Sequence, residues 1–460
     1  MLKFDEARQV NSNAGWCWYQ DDRVIVDLRS GAVLFASVAN QGGADGEIRN
    51  GDIDVTCFEP SDGHATTVAL AKIPTLGLGD DHNAAALWQR PDGRYLAMYT
   101  GHLHGLGINV RPDGGKDTQP ESFYRISENP HDATRWGPLQ TFTWPSNDPT
   151  GNGHNDVTYS NLIYLANEGG AAGRLYNVAR AAGRAMHIAT SDDWGERWTY
   201  RGILSLPPGS GRDYSNGYFK FAGNGLDRID FIATEAHPRD YNNSIYHGYI
   251  ANGRTHDAMG NVIDADLFSE TAPPPEAFTP VFSADPVGPD AYHHGWTTSL
   301  HRGADGRLRA LFTTRFGEQT CDQHNVPGRG DLDHRLFFAV LDESNWQVSE
   351  LARMGPGLHP DQEDYTGLGA VDPRDGRATY VSTNIDPRTG SELPCHEIFR
   401  ATADGGAGAW RWDAITEGSE EDNLRPQLAI AAPNTAVLLW LRGSYPHQRQ
   451  YNQATLAKMV

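Results

Sequence analysis

Two histidines sit where strand-like runs give way to loops: His82 in Gly79-Asp-Asp-His-Asn83, and His102 in Met98-Tyr-Thr-Gly-His102. Imidazole titrates nearer neutrality than any other unperturbed side chain, so two of them delivered to similar strand ends predict one proton-handling site. Four further segments place polar residues inside apolar runs. They are Asp156-Val-Thr-Tyr159-Ser-Asn161, Arg174-Leu-Tyr-Asn-Val-Ala-Arg180, Tyr214-Ser-Asn-Gly-Tyr218-Phe-Lys220, and the stretch 234–247 that holds His237. Taken singly, a tyrosine or arginine at a strand end packs with its body and bonds with its tip. Taken together, His, Tyr and Arg are the kit for cleaving a uronic-acid polysaccharide by elimination. The C5 proton lies beside a carboxylate whose charge must be neutralised before that proton can leave, and an arginine fork does this. One group then takes the proton and another protonates the departing glycosidic oxygen.

The elements that must position these residues are short strands. Runs rich in β-branched and aromatic residues (24–28, 32–38, 66–73, 95–99, 308–314, 336–341, 378–382 and 436–441) recur between Gly, Pro, Asn and Asp, the pattern of hairpin-linked antiparallel strands. Pro91-Asp-Gly-Arg94, Ala304-Asp-Gly-Arg307 and Arg374-Asp-Gly-Arg377 each precede a strand. Ser191-Asp-Asp-Trp-Gly-Glu-Arg-Trp198 fits the Asp-box pattern Ser-x-Asp-x-Gly-x-x-Trp, and Thr402 to Trp410 is a degenerate copy. Such boxes recur in propeller blades, and seven blades of roughly 60 residues would use the whole chain. The expected fold is all-β, a seven-bladed β-propeller forming a single domain over residues 1–460, with Thr271-Ala-Pro-Pro-Pro-Glu276 as a loop between blades.

Composition bounds the function. A net charge of -21 argues against nucleic-acid partners, which need a basic surface, and requires any acidic ligand to be held by a local cluster of Arg, Lys and His. No run approaches the roughly 18 apolar residues of a membrane span. The start, Met1-Leu-Lys-Phe-Asp-Glu-Ala7, lacks a basic-then-apolar leader, so the expected location is the cytoplasm, or the periplasm or exterior if a leader has been removed. Four cysteines (Cys17, Cys57, Cys321, Cys395) are too few and scattered for a disulfide scaffold.

A dozen blocks, in order from about residue 80 to 445, resemble the BNR-repeat polysaccharide lyases that include the propeller-type ulvan lyases. Among them are Asp-Asp-His82-Asn, Tyr99-Thr-Gly-His102, Val157-Thr-Tyr159-Ser-Asn, Leu175-Tyr-Asn-Val-Ala-Arg180, Tyr218-Phe-Lys, His237-Pro-Arg, His396-Glu-Ile-Phe and Asp422-Asn-Leu-Arg-Pro426. The resemblance implies a central canyon that binds an anionic polysaccharide and β-elimination at a uronate linked to rhamnose. It implies that His82, Tyr159 and Arg180 are catalytic, Arg180 neutralising the carboxylate, and that His102 and Tyr218 bind substrate. His82 is then the direct participant in proton transfer. His104, on the same strand face as His102, is the alternative second histidine. An insertion at Gly169-Gly-Ala-Ala-Gly173, and Asn-Gly before Tyr218, depart from the family pattern and bear on substrate identity. The resemblance also implies a structural zinc held by His237, Cys321, His334 and His396, with Cys395 and His324 as substitutes, and no catalytic metal or organic cofactor. Two other functions fit the fold: a sialidase-like glycoside hydrolase, since Asp boxes also occur in sialidases and 59 acidic residues leave room for a carboxylate pair, although no three-arginine clamp can be placed, and a non-catalytic glycan-binding propeller.

Overall fold

The computed structural model describes residues 6–74, 78–151, 153–206, 217–317, 333–358, 364–374, 376–404, 409–432 and 435–460. Its strands form seven antiparallel sheets. The three Asp-Gly-Arg turns all join the first strand of a sheet to the second: Ala86–Gln89 to Tyr95–Tyr99, Tyr292–Arg302 to Leu308–Phe316, and Gly369–Val371 to Ala378–Ile385. Gly93, Gly306 and Gly376 take the left-handed conformation there, with φ of 83°, 80° and 63°, which glycine adopts without a Cβ penalty. The Asp box joins third to fourth strand, Met186–Ser191 to Thr199–Ser205. Ser191 Oγ accepts from Gly195 N (2.8 Å), and Asp193 Oδ1 accepts from Arg197 N (3.0 Å).

In chain order, blade 1 holds Val24–Val26, Val33–Val38, Asp52–Glu59 and His64–Lys72. Blade 2 holds Ala86–Gln89, Tyr95–Tyr99, Glu121–Ile126 and Gln140–Thr143, and blade 3 holds Thr158–Leu165, Arg174–Arg180, Met186–Ser191 and Thr199–Ser205. Blade 4 starts with Phe219–Gly223, Ile229–Thr234 and Ile245–Ala251, and the outer edge of its third strand is shared by Arg254–His256 and Thr279–Phe282. The Pro-rich segment 271–276 therefore lies inside blade 4, leading back to that edge, and not between blades. Blade 5 is Tyr292–Arg302, Leu308–Phe316, Asp333–Asp342 and Asn345–Gly355; blade 6 is Gly369–Val371, Ala378–Ile385, Glu392–Ala403 and Trp410–Ala414. Blade 7 takes Asn423–Ala432, Thr435–His447 and Gln450–Met459 from the C-terminal end and closes with Arg8–Asn11, which pairs antiparallel with Gln450–Met459.

The ring explains why the strands read as continuous apolar runs. Each blade is covered on both faces, so both side-chain sets of a strand are buried. Val437, Leu439 and Leu441 pack with Val33 and Phe35 of blade 1, while Leu438 and Trp440 between them pack with Tyr380 and Ile398 of blade 6. Similar layers separate every neighbouring pair of blades. Among the described residues, no helix is long and apolar enough to cross a membrane.

Candidate active site

At the end of the ring where innermost strands begin and second strands finish, the backbone departs from regular sheet. Tyr159, His294 and Arg425, near the starts of the innermost strands of blades 3, 5 and 7, have φ of 60°, 54° and 54°. The strand register slips at the same places, between Thr158 and Asn161, His293 and Trp296, and Leu424 and Gln427. A left-handed conformation costs a non-glycine residue roughly 1–2 kcal/mol, and such bulges re-aim side chains. Tyr159, so placed, belongs to a buried aromatic cluster on the propeller axis with Trp18, Tyr19, Tyr218, Trp296 and Tyr365.

His82 comes from a 3-10 turn, Asp81–Asn83, capped by Asp80, whose Oδ1 accepts from His82 N (3.1 Å). His102 follows the second strand of blade 2, and its main chain is pinned by Asn83 Oδ1, which accepts from His102 N (2.6 Å), and by Asn109 Nδ2, which donates to His102 O (3.0 Å). The two imidazoles stack, with ring centroids 4.2 Å apart and planes 2° from parallel. One carboxylate serves both: Asp80 Oδ1 lies 2.8 Å from His82 Nδ1 and Oδ2 lies 3.0 Å from His102 Nδ1. Arg449 Nε donates to the same Oδ2 (2.9 Å). Asp81 Oδ1 lies 2.6 Å from His82 Nδ1, and Asp81 Oδ2 accepts from Arg425 Nη1 (2.6 Å) and Tyr445 Oη (2.7 Å).

This arrangement divides the charge of the pair. Burial opposes protonation of His82, but Cys17, Tyr159, Asp80 and Asp81 around it favour the cation and raise its pKa well above 6.5. Burial and the neighbouring His82 charge outweigh Asp80 at His102 and push it down to about 3. The physical cause is direct: two stacked imidazoles in a low-dielectric site do not both stay cationic unless an anion offsets one of the charges. Burial would raise the Asp80 carboxyl, yet His82 and His102 hold it well below the usual carboxylate range.

Arg180, the last residue of the second strand of blade 3, places its guanidinium 4.5 Å from the Tyr159 ring centroid and 5.8 Å from that of Tyr218. The Tyr159 ring lies 5.8 Å from His82 and 6.3 Å from Tyr218. Burial raises the Tyr159 phenol well above 10, against the opposing pull of His82 and Arg180. His82, His102, Tyr159, Arg180 and Tyr218 thus share one end of the axis, each no more than 6% exposed. His104 is elsewhere: it packs edge-on against Phe123 (4.9 Å) and bridges to Val157 beneath blade 2.

Of the expected zinc ligands, three lie among the described residues. His237 turns toward Tyr218 and Trp296 (5.1 and 5.2 Å). His334 is held between Gly355 O (3.1 Å) and Asp364 Oδ1 (3.2 Å), and His396 Nδ1 lies 3.1 Å from Asp422 Oδ1. Cys321 and its substitute His324 lie outside the described residues, and Cys395 is a free, partly buried thiol. Among the described residues, the metal-capable triplets are Asp80/His82/His102 and Cys17/Asp81/His82; neither includes His237, His334 or His396, and carboxylate–imidazole contacts account for their closeness. Sequence reasoning also left out Asp80, Asp81, Arg425 and Tyr445, which hold His82, and Tyr19, Trp296 and Tyr365, which fill the axis. The adjacent carboxylates at Asp80-Asp81-His82 were the available signal for the first group; the aromatic residues carried none beyond that of ordinary core.

No protein-family profile matches the chain, and no curated protein is similar to it in sequence. Its fold is shared with solved ulvan lyases. One, described as a new polysaccharide lyase family, PL25, superposes with a TM-score of 0.58 at 12% identity, covering 99% of this chain and 95% of that one. A PL25 ulvan lyase bound to -[GlcA(1-4)Rha3S]- gives 0.58 at 12% identity, covering 98% and 95%. Polysaccharide lyase Uly1 gives 0.57 at 12% identity, covering 100% and 99%.

Proposed function

We propose that the protein is a polysaccharide lyase that cleaves a rhamnose-uronate polymer of the ulvan type by β-elimination. The observation that carries this reading is the convergence at one end of the propeller axis of Arg180 and Tyr159 from strand ends of blade 3, His102 from a strand end of blade 2 and His82 from the 3-10 turn ahead of that blade. The ulvan lyases that share the fold, one of them bound to a glucuronate–sulfated rhamnose repeat, support the substrate class.

The charge pattern argues for exchanging the roles expected of the two histidines. A cation cannot accept a proton, so His82 joins Arg180 in neutralising the uronate carboxylate, which makes the C5 proton more acidic. His102 is neutral, and with Nδ1 turned to Asp80 its Nε2 is the base once the bound uronate carboxylate offsets the charge on His82; Asp80 then stabilises the imidazolium that forms. As the C5 proton moves to His102, the C5–H electron pair forms the C4=C5 double bond and the C4–O4 bond breaks. Tyr159, a neutral phenol, protonates O4. The products are an unsaturated uronyl residue and a new reducing end, and proton return from His102 to Tyr159 resets the site. A carboxylate-pair hydrolase fits less well, because Asp80 and Asp81 are fully buried and committed to His, Arg and Tyr partners.

The test is depolymerisation of ulvan, desulfated ulvan and other rhamnose–glucuronate glycans followed by near-ultraviolet absorbance. Unsaturated uronyl ends appearing as chains shorten is the expected result. Shortening without that absorbance would sink elimination as the reaction.

A further inference from the structure

After closing blade 7, the N-terminal segment runs inward and threads the axis. Gly15 pairs through its main chain with Val38 of blade 1 (2.9 Å in each direction), and a Cβ there would fall 2.6 Å from the Tyr451 ring. Trp16 O accepts from Arg425, and Cys17 N donates to Asp81 O (3.3 Å). Trp18 lies under the Arg425 guanidinium (5.1 Å) and packs edge-on against Tyr365 (4.4 Å). Gln20 O accepts from Lys220 Nζ of blade 4 (2.6 Å), and Asp21 Oδ1 and Arg23 tie the exit to each other and to Ser160 O of blade 3. The strap is thus fixed to four blades on either side of one residue, Tyr19.

Tyr19 packs against three residues of the candidate site, His82, Tyr159 and Tyr218. Its ring stacks on Trp296 of blade 5 (4.8 Å, 14°) and lies 4.7 Å from Tyr218, 5.5 Å from His82, 5.8 Å from Tyr159 and 5.6 Å from Tyr365. It is 4% exposed. Tyr159 and Tyr218 lie 6.3 Å apart, so the Tyr19 ring forms the third corner of a triangle with them and packs beside both.

We infer that Tyr19 is a positioning residue of the active centre, its ring packing against His82, Tyr159 and Tyr218 together so as to fix their relative placement, and lying close to the His82 imidazole. The ring, not the hydroxyl, does this, because the contacts to His82, Tyr159 and Trp296 are ring contacts. A centroid separation of 5.5 Å lies within the roughly 6 Å over which an aromatic face attracts a cation. The other groups facing His82 are Asp80 and Asp81 of its own turn, His102 of blade 2, Tyr159 of blade 3, Cys17 of the strap, Tyr365 ahead of blade 6 and Tyr445 of blade 7. Of these, Tyr365 loses a side-chain hydrogen bond in either Tyr19 variant, so the comparison of Tyr19→Phe with Tyr19→Leu separates that loss from loss of the ring.

The test compares Tyr19→Phe with Tyr19→Leu in the full chain, by thermal melting, by NMR titration of the His82 imidazole assigned with a His82→Gln control, and by kinetics on ulvan. Tyr19→Phe is expected to keep the His82 titration and to retain kcat within about twofold. Tyr19→Leu is expected to stay folded, to lower the His82 pKa by about half a unit or more, and to cut kcat about tenfold or more with KM changed little. Tyr19→Leu that lowers the melting temperature alone, with titration and kcat intact, would show a purely structural ring and overturn the inference. So would Tyr19→Phe as damaging as Tyr19→Leu, which would place the function in the hydroxyl. The kinetic arm rests on the lyase reading and the titration does not, so wild-type protein inert towards uronate polymers overturns that reading and leaves the titration to decide this one.

Discussion

Asp80→Asn isolates the device on which the proposed chemistry turns. Asparagine keeps the shape of the side chain and removes the charge shared by His82 Nδ1 (2.8 Å) and His102 Nδ1 (3.0 Å). Unit charges about 4 Å apart at an effective dielectric of about 20 interact by about 4 kcal/mol, which corresponds to about 3 pKa units. Asp81, also beside His82 Nδ1, stays in place, so the imidazolium is weakened and not abolished. The sign follows from the directions of the shifts. His82 has a folded pKa above its unfolded value, so its contribution to stability is complete below about pH 6.5 and is lost as pH rises through the folded value. Asp80 has a depressed folded pKa, so its contribution is present above about pH 4 and is lost only as pH falls through that lower value. The two windows overlap at neutral pH, where removing one partner of a buried pair costs about 3–5 kcal/mol. In the pH profile of kcat/KM, read as formation of unsaturated uronyl ends, wild-type activity falls on the alkaline side as His82 loses its proton. In Asp80→Asn that limb moves down by about 3 pH units, and kcat at its new optimum is also lower because His102 loses its anchor. An alkaline limb within about half a unit of wild type, with kcat preserved, would refute both the shared-carboxylate argument and the cationic role of His82.

Arg180→Lys keeps a positive charge but loses the planar fork, and should lower kcat/KM on a uronate polymer by about 100-fold or more, measured against an unchanged melting temperature. Tyr159→Phe keeps the ring that Arg180 covers and removes the proton donor, so elimination should fall by about 10²–10⁴-fold; a variant within about tenfold of wild type would exclude Tyr159 as the acid. Leu438→Ala empties part of the layer between blades 6 and 7 and should cost about 2–5 kcal/mol in denaturant unfolding while leaving kcat unchanged, since it lies among side chains remote from the axis.

The fold was readable because its signals are local. An Asp-Gly-Arg turn or an Asp box fixes a hairpin within a few residues of sequence, and the structure puts every Asp-Gly-Arg turn in the same place within its blade. The Pro-rich stretch at 271–276 misled for the complementary reason: proline marks an interruption of pairing but not whether the chain is leaving a sheet or returning to its edge, and Thr279–Phe282 returns. Asp80 was visible as one of two adjacent carboxylates, yet its joint hold on His82 and His102 spans 22 residues and a change of blade. The zinc set draws His237, His334 and His396 from blades 4, 5 and 6, a separation that no local spacing rule spans.

The strap shows most clearly why the rest was not legible. Trp16-Cys-Trp-Tyr-Gln20 carries no spacing that distinguishes it from core, and its role depends on ring closure. Only once Arg8–Asn11 has joined blade 7 does the next stretch of chain lie over the axis, where the starts of seven innermost strands converge. Whatever crosses there must neighbour every residue that those strand starts present. The ring is held by layers of Leu, Val and Phe that many sequences could supply, so the chemistry depends on what departs from it: the left-handed bulge at Tyr159, the Asp80-capped turn under His82, and the strap that brings Tyr19 beside both. A propeller keeping its layers but losing these three features should therefore still close its ring, less stable by at least about 3–5 kcal/mol from the lost Asp80 pair, and turn over nothing.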